Sequence, residues 1–134
     1  MKRLPDWNAR LHAYVDAVKR SPFDWGAHNC ATFAAGAVEA MTGENLAKGY
    51  RFKTERGALA AMKREGFDNL ADMAASRLQE IHISQARMGD VAAIPTDTPF
   101  GFVLGIVNGE TILALRPDGM GLAPLLTATR AFRV

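Results

Sequence analysis

One cysteine and three histidines hold most of the reactive chemistry available to this chain. Cys30 follows a Trp25-Gly26-Ala27-His28-Asn29 turn and opens an Ala-rich stretch that reads as a helix. A thiol at a helix N-terminus feels the positive end of the dipole, which favours thiolate over thiol. A thiolate nucleophile needs a base to form it and an acid for the leaving group, and histidine serves both. His28 lies two residues before Cys30, near enough to reach the thiol from an extended turn. It also reads as a turn residue bonded to backbone. His82, in Glu80-Ile81-His82-Ile83, is an outside candidate that approaches only if its segment folds across the cysteine helix. His12 falls one position past an apolar stripe and is expected in solvent. Cys30 keeps a second reading as a small packing hydrophobe, because free cysteine is among the most buried residue types.

These residues must be positioned by a single domain over 1–134, a common domain size. The hydrophobic fraction of 49% suits an ordinary core. No apolar run approaches the roughly 20 residues of a membrane span, so membrane insertion is not expected. The basic start, Met1-Lys2-Arg3, lacks the apolar stretch of a secretion signal. The expected location is therefore cytoplasmic as synthesised, or virion-associated. A net charge of +2 gives no argument for nucleic acid. One cysteine forms no internal disulfide, and with three scattered histidines it makes no metal-ligand cluster. No cofactor or metal is expected. Oligomeric state is not readable.

Periodicity is helical to about Leu78 and strand-like afterwards. Trp7, Leu11, Val15 and Val18 mark one helix, begun after Pro5 and ended before Pro22. The second runs from Cys30 to about Met41, with Asn29 as N-cap and Thr42-Gly43 closing it. Its alanines and Gly36 predict a central, buried helix. A third spans about Thr54–Gly66 and a fourth about Asn69–Leu78. Short strands follow: Asp90–Ile94 stopping at Pro95, Phe102–Val107, and Thr111–Leu115. Asn108-Gly109 signals a hairpin, Arg116-Pro117-Asp118-Gly119 a turn, and Ala131–Val134 a final edge strand. Helices before an antiparallel sheet make an α+β domain. Trp25 reads as a core aromatic or a groove wall, Asp90 as a turn cap, and Phe100-Gly101-Phe102 with Met120 as an exposed patch.

In this order the motifs resemble the NlpC-type cell-wall cysteine peptidases. That family has an aromatic-Gly turn into a cysteine helix, a Gly-Asp pair opening a strand, and a later strand begun by the catalytic histidine. The matching stretches are Trp25–Thr32, Gly89-Asp90 with Val91–Ile94, and Val103–Gly109. The resemblance implies a papain-like fold, N-terminal helices packed on a small antiparallel sheet. It also implies Cys30 as nucleophile and a groove containing Trp25, Gly26, Asn29 and Val103. Val103 stands at the aligned histidine position, Asn29 replaces Asp, and Ala31-Thr32 replaces Ser-Gly. The pattern also resembles a branch linked with phage and prophage tails. The expected function is thus a degenerate papain-like module in tail assembly or interaction, with phage tail proteins or peptidoglycan as partners. The alternative is an active hydrolase that cleaves peptidoglycan stem-peptide amides, with His28 or His82 as base.

Overall fold

Asn29 and Gly43 set the ends of the central helix, and the rest of the domain is arranged around it. In the computed structural model, which describes residues 2–25, 28–48 and 52–134, this helix is α2 (Cys30–Thr42). The Asn29 side chain accepts the N–H groups of Ala31 and Thr32, each at 3.0 Å, and the Thr32 hydroxyl accepts the Asn29 N–H at 2.8 Å. This reciprocal capping box satisfies donors that a helix start otherwise leaves bare. At the other end Gly43 takes φ 85°, a left-handed cap that costs glycine little.

One face of α2, with Phe33, Ala34, Ala37, Val38 and Met41, is buried. Helix α1 (Trp7–Val18) packs beside that face, where Tyr14 stacks on Phe33 and a Cβ at Gly36 would collide with the Tyr14 ring. Small side chains therefore allow the close helix contact, as their pattern predicts. Two further helices, α3 (Glu55–Arg64) and α4 (Leu70–Ala75), are N-capped by Thr54 and Asn69. No helix among the described residues is long and apolar enough to cross a membrane.

The sheet is antiparallel throughout, built from β1 (Gln79–Ile81), β2 (Val91–Pro95), β3 (Phe102–Asn108), β4 (Thr111–Arg116), β5 (Gly119–Pro124) and β6 (Arg130–Arg133). Its order is β1-β6-β2-β3-β4-β5. One face packs on the helices. The other holds a smaller cluster of Ala92, Ile94, Val107, Ile112, Ala123 and Ala128, with Ile83 and Leu125 against it. Burial on both faces explains why Val91–Ile94 is apolar without alternation.

Four local expectations change. β6 is not an edge strand; it lies between β1 and β2. β1 and β5 carry little signal, being short and polar in one case and Gly/Pro-rich in the other. The hairpin loop is Gly109-Glu110, one residue later than expected, because Asn108 still pairs with Thr111. Phe100 is buried and Met120 half-buried rather than forming an exposed patch.

Asp90 ties the ends of the described chain together and is fully buried. Its Oδ1 accepts Arg3 Nη2 and the Val134 N–H, both at 3.0 Å, and its Oδ2 accepts the Arg87 N–H at 3.1 Å. Arg3 also donates to the Val134 and Met88 carbonyls at 2.9 Å. The turn-capping role read for Asp90 holds, and the clamp extends it.

Candidate functional site: the cysteine cavity

The β3–β4 ladder runs from Asn108↔Thr111 only as far as Gly105↔Ala114. Beyond that point β3 stays with β2 to Phe102, while β4 stays with β5 to Arg116. The two strands part, and α2 begins beside the gap. There the Leu104, Ala31 and Cys30 N–H groups lie close enough to the Cys30 sulfur for their positive ends to favour its thiolate.

Around this point lies a cavity of about 460 Å³. Trp25, Asn29, Cys30 and Val103 all line it, so the fold gathers four of the expected site residues. Gly26, the remaining expected groove residue, lies outside the described residues. Trp25 is held edge-on to Phe23 at 5.0 Å between ring centroids and stacked on Phe100 at 5.3 Å. It is both packed aromatic and cavity wall. Asn29 is 2% exposed, and its Nδ2 donates to the Trp25 carbonyl at 2.8 Å while its Oδ1 caps α2. Asn29 therefore positions Cys30, with its own polar atoms engaged.

Burial pushes the Cys30 thiol above its ordinary pKa, and the three N–H groups only partly oppose this. The sequence expectation of a dipole-favoured thiolate is thus reversed. Desolvation of the charged form outweighs the helix end.

Strand geometry also decides which β3 side chains face the cysteine helix. Side chains alternate faces along a strand. Leu104 and Ile106 belong to the core on the helix side, with Phe102 packed against it. Val103 shares the other face with Gly105 and Val107, where Val107 joins the smaller cluster and a Cβ at Gly105 would meet Ile112. Val103 borders the cavity where the strands part, but Phe102 and Leu104 send side chains toward α2. The faces are hard to tell apart in sequence because both are apolar.

None of the histidines lines the cavity. His28 is fixed by backbone bonds in both directions with Asp24, at 2.7 and 2.8 Å, and its Nε2 is buried without a hydrogen-bond partner. His82 is exposed; its Nδ1 lies 2.8 Å from the Ser84 hydroxyl and caps a short turn. His12 is exposed on α1, as expected. Sequence reasoning missed the far walls, where α3 and α4 contribute Ala58, Met62, Leu70 and Met73. Their inward periodicity was the available signal, and it reads equally as core.

Comparison with known proteins agrees with this architecture. The NlpC/p60 domain of the peptidoglycan hydrolase SagA superposes with a TM-score of 0.61 at 17% identity, covering 94% of this chain and 97% of that one. The helices and six-stranded antiparallel sheet thus form an α+β domain of the papain-like NlpC/p60 fold. No curated protein matches the sequence. A family model described as a domain of unknown function, DUF6950, matches residues 2–134, and the chain belongs to that family.

Proposed function

We propose that this chain is a papain-like domain without hydrolytic turnover, serving as a binding or interaction module. The observation that carries the reading is the setting of Cys30. Desolvation of the half-buried Cys30 raises its thiol pKa, and no imidazole lines the cavity among the described residues. A cysteine hydrolase requires the opposite, a thiolate with a base in hydrogen-bond reach. The tail-assembly role is part of the proposal and rests on the motif resemblance quoted above. It is tested by co-sedimentation with assembled phage tail particles, and absence from them counts against it.

The catalytic half has a direct test. Purified peptidoglycan is incubated with wild-type protein and with Cys30→Ala, and newly released amino groups are measured. Equal, background-level release is expected. Release by wild type and not by Cys30→Ala would overturn the proposal. One observation favours the hydrolase as a second reading: the buried, unpartnered Nε2 of His28, two residues from Cys30. Under that reading His28→Ala abolishes release as completely as Cys30→Ala, whereas His82→Ala has no effect.

A further inference from the structure

We propose that the cavity beside Cys30 binds an anionic amphiphile, with an aliphatic chain inside and the acid group at the rim near Arg116. This deepens the binding-module reading and rests on it. The volume of about 460 Å³ falls within the range of small-molecule sites. Protein interiors are otherwise close-packed, with few voids larger than a water molecule. The inner wall consists of buried apolar side chains such as Val38, Met62, Leu70, Phe100 and Leu115.

The polar groups on that wall are already engaged. Asn29 caps α2 and donates to the Trp25 carbonyl, and the Thr32 hydroxyl both accepts the Asn29 N–H and donates to the Asn29 carbonyl. The Cys30 sulfur faces three N–H groups. A polar ligand would lose its hydration there without gaining partners, whereas a hydrocarbon chain loses nothing.

The rim differs in character. The exposed lining residues include Glu55, Arg77, Thr98 and Arg116, two guanidiniums against one carboxylate. Arg77 holds the Leu46 carbonyl at 3.3 Å. Arg116 lies at the end of β4, two residues beyond its last pairing with β3, where the strands part. An apolar interior with a cationic mouth selects a chain that carries an acid at one end.

The test uses dodecanoate and dodecanol below their aggregation concentrations. Two readouts are followed: fluorescence of Trp25 in the Trp7→Phe protein, and alkylation of Cys30 by N-ethylmaleimide. Both probes are expected to saturate at one equivalent and to slow alkylation. Arg116→Ala should weaken dodecanoate about fivefold, the strength of an exposed ion pair, and leave dodecanol unchanged. Ala35→Phe, which extends into the cavity, should abolish binding of both; Arg116 is exposed, so its variant stays informative if Ala35→Phe misfolds. Absence of saturable binding by either probe overturns the proposal, as does unchanged alkylation at saturation. Equal effects of Arg116→Ala on both probes overturn the acid-at-the-rim assignment. Peptidoglycan release is measured separately, so amphiphile failure without release overturns only this inference, whereas release overturns the reading beneath it.

Discussion

Replacing Asp90 by alanine should destabilise the domain severely while leaving the cysteine cavity in place. The carboxylate is fully buried and accepts three donors: Arg3 Nη2, the Val134 N–H and the Arg87 N–H, at 3.0–3.1 Å. Arg133 Nε lies 3.7 Å away. Removing the acceptor strands a guanidinium that is only 11% exposed, and a buried backbone N–H. Losing one partner of a buried ion pair costs about 3–5 kcal/mol. That is a large share of the roughly 5–15 kcal/mol that holds a domain together. For a domain of this size each kcal/mol moves Tm by about 3–5 °C, which gives a loss of roughly 10–20 °C. Urea titration monitored by circular dichroism reads the same change as a shift in midpoint.

Arg3→Ala should cost less than Asp90→Ala, because Asp90 keeps two N–H donors and has Arg133 nearby. The double variant should resemble Asp90→Ala alone, because the two residues form one unit. A cost for Asp90→Ala below about 1 kcal/mol, the level of an exposed ion pair, would refute the clamp. Strictly additive single-variant costs would refute the coupling.

Histidine at Phe102 should speed N-ethylmaleimide alkylation of Cys30 about tenfold at neutral pH, since a nearby imidazolium favours thiolate. Histidine at Val103, on the far face, should not; the reverse order would show the strand faces misassigned. Cys30→Ser keeps an acceptor near the Leu104 N–H, whereas Cys30→Ala removes it, at a cost of about 1–3 kcal/mol if the N–H relies on it. Chemical denaturation should therefore rank serine above alanine. Tyr14 is pushed up to about 12, chiefly by burial and secondarily by Glu39. Its neutral hydroxyl donates to the Phe33 carbonyl at 3.0 Å. Unfolded tyrosine ionises near 10, so above that the unfolded state binds fewer protons and stability falls as pH rises from about 10 to 12. Ultraviolet titration of a Tyr50→Phe protein reads this phenol alone, and an ordinary titration midpoint would contradict its burial. Gly105→Ala should cost about 1–3 kcal/mol, because the new Cβ meets Ile112 and comes within 2.6 Å of the Leu113 carbonyl oxygen; an unchanged denaturation midpoint would oppose that packing.

Much of the fold was legible because it depends on local chemistry. Asn29 and Gly43 bracket α2 with capping and left-handed preferences that act within a few residues. Thr54 and Asn69 do the same for α3 and α4. The small residues of α2 likewise announced a closely packed helix. What was not legible depends on long-range pairing. Arg130–Arg133 contains nothing that distinguishes an edge from an interior strand; its burial comes from β1 and β2, which lie far away in sequence. The two faces of β3 were not legible for a related reason. With apolar residues on both sides, alternation has no polar phase to fix it, and Gly105 was the only local clue.

The parting of β3 and β4 joins these observations. A strand N–H that loses its neighbouring strand must find another acceptor or carry a desolvation penalty. At Leu104 the nearby acceptor is the sulfur of Cys30, close enough to feel this N–H, and the Asn29–Thr32 capping box holds it at the start of α2. The same gap admits the cavity, because Phe102, Leu104 and Leu115 line it where the ladder is absent. A cysteine in this position thus has a physical reason to remain that requires no turnover. It offers an acceptor at the split in the sheet, and its compact, weakly polar side chain does so without drawing water into an apolar site. Catalysis would need the thiol to give up its proton there, and burial opposes that step. Under the proposed binding role, the cavity holds an apolar chain instead of cleaving an amide.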